Sequence, residues 1–344
     1  MSEKDQKSVL NTKCSRRNFL RGSAAVAATL SVGSVLKSCA TPPAAAVAQP
    51  DPLLRDLNDV ALRHLRSPVN DMGLAIPENP AFKGEPFYYD PIWNVASGAD
   101  PLWNEFKKET IIGDFHWTPR EAFLLAFPQE TAVRAEELSV LVFGLPMTQA
   151  SREDNRRERL IGSERFARTR WLAEAPVVHG LMRNLVDELA AQNIQAVAPT
   201  IMPGFTRDIP SRFGYSSTWS LRHAGFVAGM GTFGLQDALI SRVGASHRMG
   251  SVILRAPMQV TPRTYTSSHE WCLFFKDGSC GICVSRCPVG SVRFEGRDKG
   301  PCMNQLRVTI TNHAEANWGF RGYGCGLCNT GVLCESRIPP GIVV

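Results

Sequence analysis

Eight cysteines fall between Cys272 and Cys334 of this 344-residue chain, and no other feature of the sequence restricts its fold as much. A segment so dense in thiols folds around whatever they bind, because soft ligands closing on one inorganic group fix the backbone at several points. Cys280, Cys283 and Cys287, followed by Pro288, reproduce the last three positions of the bacterial cluster motif C-x₂-C-x₂-C-x₃-C-P. The first position is displaced to Cys272, with seven residues before Cys280. A second set follows as Cys302, then Cys325 and Cys328 separated by two residues, then Cys334 after five more. Four plus four thiolates suit two [4Fe–4S] clusters, since each iron takes three sulfides and needs one soft protein ligand. In two-cluster ferredoxins the fourth cysteine of each motif serves the other cluster. That rule assigns Cys272, Cys280, Cys283 and Cys334 to one cluster, and Cys302, Cys325, Cys328 and Cys287 to the other.

The opposite end of the chain carries an address. Residues 15 to 21 read Ser-Arg-Arg-Asn-Phe-Leu-Arg and lead into an uncharged run from Gly22 to Leu36. A twin arginine before a weakly apolar, small-residue run is the twin-arginine export pattern, and the run is too short to span a bilayer. Residues 1–48 are therefore read as a signal segment. Ala46-Val47-Ala48 offers a cleavage site before Gln49, whereas Leu36-Lys37-Ser38-Cys39 resembles a lipoprotein box that would make Cys39 a lipid anchor. The whole chain has 38 basic and 32 acidic residues, a net charge of +6, and cleavage after Ala48 leaves 31 against 30. A nucleic-acid partner is excluded on that ground, because neutralising phosphates takes concentrated positive charge. Export also keeps disulfides open for an even set of thiols, and paired C-x₂-C spacings keep structural zinc open. The Pro after Cys287 and a route that carries prefolded cofactor proteins favour iron–sulfur clusters.

Between these ends, residues 50 to 135 are rich in Pro and aromatics without clean periodicity and read as irregular structure with short helices. Leu138 to Phe143, Ile194 to Ala198 and Gly250 to Leu254 are short β-rich apolar runs. Leu181, Leu185 and Leu189 recur at helical spacing within 177 to 192. Strands alternating with an amphipathic helix predict an α/β layer architecture over residues 49–265, ahead of a cysteine module at 266–344. Gly229-Met-Gly231-Thr-Phe-Gly234 matches a dinucleotide fingerprint as a string, but a helical segment precedes it and no acidic ribose partner follows. Glycines spaced this way still bring the backbone close to a packed element or a flat cofactor.

Three stretches together resemble the corrinoid-dependent iron–sulfur reductases, the family containing reductive dehalogenases and epoxyqueuosine reductase. The first runs from Arg222 to Gly234 and on through Ala238–Gly244 to Arg248–Ile253. The second is the cysteine–Pro motif at 280–288, and the third is Cys302 followed by Tyr323-Gly-Cys325-Gly-Leu-Cys328. The resemblance implies a nitroreductase-like α/β (α+β) domain holding a corrinoid, with a C-terminal ferredoxin-like 2[4Fe–4S] domain beside it. It assigns corrinoid contact to Gly229, Gly231, Gly234, Gly244 and Arg248. It places a proton source just upstream of the glycine-rich core, where Tyr215 is the candidate and Arg212 or Arg222 the cation beside it. It implies an external electron donor and a small organic substrate of halogenated type. Export argues against the tRNA-modifying branch and for an exported reductase of dehalogenase type. The competing expectation is a non-catalytic electron-transfer protein.

Overall fold

The computed structural model describes residues 51–75, 82–211 and 214–344, all within the unit Gln49–Val344. The signal segment, with Cys39 and the Ala46–Ala48 site, lies outside the described residues, as does Arg212.

The described strands are, in chain order, β1 (Ile92–Ser97), β2 (Ser139–Pro146), β3 (Ala196–Val197), β4 (Arg207–Ser211), β5 (Gly214–Ser217), β6 (Gly231–Phe233), β7 (Leu239–Ser241), β8 (His247–Leu254), β9 (Val292–Arg293) and β10 (Gly296–Arg297). Four of them form the central sheet in the order β1-β2-β8-β3, every pair antiparallel. β2 is buried at all eight positions because both faces of the sheet are covered. Its side chains alternate, as a pleated strand requires. Val140 and Val142 enter one core with Trp219, Ala224 and Val227, while Leu141, Phe143 and Leu145 enter the other with Leu57, Leu181 and Leu185. This two-sided burial is why the sequence shows a continuous apolar run and not an alternating one. Across the β2–β8 ladder Phe143 faces Gly250, where a β-carbon would come within 2.2 Å of the ring.

Helices Pro52–Leu65 and Gly180–Ala191 cover one face, and helix Leu221–Val227 the other. Residues 50 to 135 are more regular than their sequence suggests. Pro52 opens a 14-residue helix whose first amide Leu53 N–H is capped by Asp51 at 2.9 Å; Leu57, Val60, Ala61 and Leu65 are its buried apolar stripe, with Leu53 and Leu54 partly buried beside it. β1 is a sheet edge whose pattern is interrupted by Asn94, and pairing with β2 overrides its weak local signal. The cysteine-bearing segment shares the core of Val140 and Val142: Trp271, Cys272, Cys283 and Val292 pack there with Trp219 and Phe226. No helix among the described residues is long and apolar enough to cross a membrane.

Candidate functional site

The chain folds the eight cysteines, all free thiols, into two neighbouring groups. Cys272, Cys280, Cys283 and Cys334 line one small, nearly apolar void. Burial pushes the Cys283 thiol up to about 12, and the neighbouring thiols of Cys334, Cys328, Cys272 and Cys280 push the same way. Cys325 is also raised to about 12, by burial and then by Cys328, Cys302 and Cys287. Cys328 is raised by burial and by Cys302 and Cys287. Thiols gathered and buried like this ionise only against a positive group, and ligation supplies one because metals bind the thiolate. Among the described residues no three His, Cys, Asp or Glu side chains are spaced for a single metal ion. A four-iron cluster holds its thiolates apart at the corners of an inorganic body, and a donor set of four thiols per group fits it.

Buried polar side chains fix the loops that carry these thiols. Arg286, between Cys283 and Cys287, donates to the carbonyls of Leu327 and Thr330 on one side and of Asn155, Arg156 and Glu158 on the other. Asn155 donates to Cys325 O at 3.0 Å and to Thr330 Oγ1 at 2.8 Å. Glu335, next to Cys334, accepts from Arg156 at 2.5 Å and from the Gly331 amide at 2.6 Å. Gly324 presses on helix Glu164–Trp171, where a β-carbon would lie 2.7 Å from Ala167 Cα. The two cysteine groups are thus keyed to the segment 155–171 of the sheet region.

A cavity of about 480 Å³ opens between the sheet region and the 323–329 loop, with Cys325 in its wall. That volume is in the range of small-molecule and cofactor sites. One end is ionic: Arg248 grips Glu174, with Nε donating at 2.7 Å, and Arg170 approaches the same carboxylate at 3.2 Å. Burial pushes the Glu174 carboxyl up, but Arg248, His179 and Arg170 outweigh it and hold it well below the usual carboxylate range. At the other end Arg222 meets Asp237 at 2.7 Å, beside Arg297. Ala238, Leu239, Ala245 and Met249 supply an apolar stretch between. His247 lines the wall as well; burial lowers it to about 4, and its Nδ1 lies 2.9 Å from Gly244 O.

The candidates from the sequence are distributed unevenly around this cavity. Arg222 and Arg248 line it. Tyr215 lies on β5, 41% exposed, two residues from the lining residue Ser217, with its carbonyl accepting from Lys299 Nζ at 2.9 Å. The glycines meet protein. A β-carbon on Gly231 would come within 2.0 Å of Ile240 O, on Gly234 within 2.2 Å of Gln236 Oε1, and on Gly229 within 2.9 Å of Pro262 O. Gly244, at φ +77°, would meet the Glu335 backbone at 2.4 Å. Close protein contacts therefore surround all four positions: strand on strand at Gly231, a side chain at Gly234, and backbone at Gly229 and Gly244. Sequence reasoning missed Tyr323, Glu174, Arg170 and Arg297. Tyr323 had a signal, standing two residues before Cys325; Glu174 and Arg170 come from a helical region with nothing to distinguish them from surface charges.

Residues 13–33 match the family model described as the TAT (twin-arginine translocation) pathway signal sequence. No curated protein matches the chain in sequence. Among solved structures it is similar to epoxyqueuosine reductase from Bacillus subtilis, at 16% identity and a TM-score of 0.40, over 75% of this chain and 64% of that one. An epoxyqueuosine reductase with a tRNA stem loop gives 16% identity and 0.42, over 80% and 63%. A catabolic reductive dehalogenase gives 15% identity and 0.39, over 60% and 27%. The chain therefore spans less than two thirds of the length of these epoxyqueuosine reductases and about a quarter of that of the dehalogenase.

Proposed function

We propose that this protein is an exported reductase in which two [4Fe–4S] clusters deliver electrons to a cofactor and substrate in the 480 Å³ cavity. The observation that carries the reading is Cys325, a member of one four-cysteine group that also lines the cavity. A relay alone has no use for a ligand-sized cavity against its cluster, which favours the enzyme over a non-catalytic electron-transfer protein. In this reading residues 266–344 act as a ferredoxin-like module and residues 49–265 as the corrinoid-binding region. The cluster ligands are Cys272, Cys280, Cys283 and Cys334 on one side and Cys287, Cys302, Cys325 and Cys328 on the other. A corrinoid in the cavity would supply the low-valent cobalt chemistry that removes a halogen from a small organic substrate. Arg248 and Arg222 are the lining residues that would hold the corrinoid, and Gly229, Gly231, Gly234 and Gly244 let the adjoining backbone pack closely. Export through the twin-arginine machinery places the work at the periplasm or the outer face of the cytoplasmic membrane, with an external reductant as donor.

The proton source is best assigned to Tyr323, with Tyr215 as the second candidate. Tyr323 lines the cavity, its ring lies 4.8 Å from Trp171, and Arg170 and Arg248 are within electrostatic reach. Anaerobic reconstitution of the full mature chain with iron, sulfide and cobalamin tests the reading, with bound cobalt read by its visible absorption and halide release by a haloaromatic panel. Corrinoid near one per chain is expected, and full clusters without corrinoid uptake would remove the enzyme. Tyr323→Phe should keep both cofactors and lose roughly 100-fold or more in turnover, the usual worth of a general acid. A loss of that size in Tyr215→Phe instead would transfer the role.

A further inference from the structure

One turn borders both the cavity and the small void lined by Cys272, Cys280, Cys283 and Cys334. Residues 234 to 237 close it through Gly234 N to Ala238 O and Asp237 N to Gly234 O, both 2.8 Å, with Asp237 at φ 65°. Its outer residue, Asp237, faces the cavity and pairs with Arg222. Its inner residue, Gln236, is 1% exposed, and its side-chain amide donates to Cys334 Sγ at 3.5 Å. The Gln236 carbonyl accepts from Arg297 Nη1 at 2.9 Å, and Arg297 Nη2 donates to Cys302 Sγ at 2.9 Å. A continuous line of polar contacts thus runs from Cys334 through Gln236 and Arg297 to Cys302, one end in each group. Gly234 is what lets it form, since any β-carbon there would collide with the Gln236 amide.

The two ends differ in charge. The group containing Cys334 receives a long bond from a neutral amide, whereas the group containing Cys302 receives a short bond from a half-buried guanidinium. Reduction adds one negative charge to a cluster, and a cation donating to a ligand sulfur stabilises the reduced form and raises its potential. We infer that Arg297, held by Gln236, sets the direction of electron flow by raising the potential of the cluster on Cys287, Cys302, Cys325 and Cys328 above that of its neighbour. The step would be a one-electron exchange, from a group held by Cys272, Cys280, Cys283 and Cys334 to one held by Cys287, Cys302, Cys325 and Cys328, the first oxidised and the second reduced, with no bond formed or broken. An external one-electron reductant supplies the electron. The inference rests on the two-cluster reading above.

The test is a dithionite titration of the reconstituted full mature chain, followed by the paramagnetic signals of the two reduced clusters. Arg297→Gln should shift the distribution of one electron between the clusters at least tenfold away from the Cys302-side cluster, about 59 mV for a one-electron couple. Arg297→Lys keeps the charge without the fork and should shift it less, in the same direction. Gln236→Leu should move the Cys334-side cluster by less than tenfold. Full iron content with both potentials unmoved in Arg297→Gln and Arg297→Lys would overturn the assignment while leaving the clusters standing. Unaltered protein that takes up no iron would overturn both readings.

Discussion

The sheet region and the cysteine segment are held by different forces. β2 and β8 run eight residues each in full register and are sealed by helices on both faces, so their stability comes from apolar area removed from water. After residue 266 one helical run is long, Lys299–Trp318 with a π turn at Gln305–Ile310; the other helices have five residues or fewer, and β9 and β10 have two each. Elements that short bury little and nucleate poorly alone. What substitutes is a set of buried charges reaching across the chain to backbone carbonyls, together with the ligands the thiols take. One region is thus built by periodicity and the other by specific bonds between residues distant in sequence.

That contrast breaks hardest at Arg286. Its guanidinium donates to five carbonyls from two loops, and Arg286→Ala would remove that donor from all of them, stranding the carbonyl of the buried Thr330, whereas Leu327 O and Asn155 O keep the amides of Thr330 and Glu158. A loss of about 4 kcal/mol is expected, since bonds to a charged group and the stranded acceptor both contribute. Iron content after reconstitution should fall with it, because both the 283–287 and 325–328 loops depend on that side chain. Urea unfolding and iron analysis check this, and unchanged values in both would mean that the loops are held by something else.

Leu185→Ala tests the other half of the comparison. Leu185 is fully buried between helix Gly180–Ala191 and the sheet, so truncation should cost about 3 kcal/mol through lost transfer energy and a cavity. Iron content and cluster potentials should stay as they were. A fall in iron equal to that of Arg286→Ala would show that the two regions do not differ in the way described.

The same division decides what the sequence reveals. The strands at 139–146 and 247–254 and the helix at 180–191 write their burial into apolar spacing, and the cysteine spacing writes its ligand chemistry into residue identity. Twin arginines at 16 and 17 are equally explicit. Helix Pro52–Leu65 was hidden because only one stripe is apolar among many charges, and β1 because its partner supplies the reason for it. Arg297 and Gln236 carry no local pattern at all: each acts through a contact that only the folded chain creates, 61 residues apart in the first case and 98 in the second. The glycines at 229–234 were legible as close approaches, but what approaches them is protein.

The smallest expected effect separates the regions by pH. His116 is fully buried, its Nδ1 lies 3.2 Å from Ser217 O, and its ring is parallel to that of Trp219. Burial lowers it from 6.5 to about 4, although the Ser217 carbonyl opposes the shift. His223, 6.2 Å from it, is lowered to about 3 by burial and then by His116. Both are neutral in the fold and take up protons on unfolding, so the unfolded state binds more protons between about pH 4 and 6.5. Stability from His116 is fully present above pH 6.5 and is lost as pH falls toward its folded value. The loss by pH 5 is about 2 kcal/mol at 1.36 kcal/mol per unit. Urea midpoints at pH 7 and pH 5 should therefore separate, and His116→Phe should narrow the gap while leaving cluster potentials unmoved. A gap as wide in the variant would mean that His116 does not carry the acid sensitivity, leaving it to His223 in the same region or to the cysteine segment.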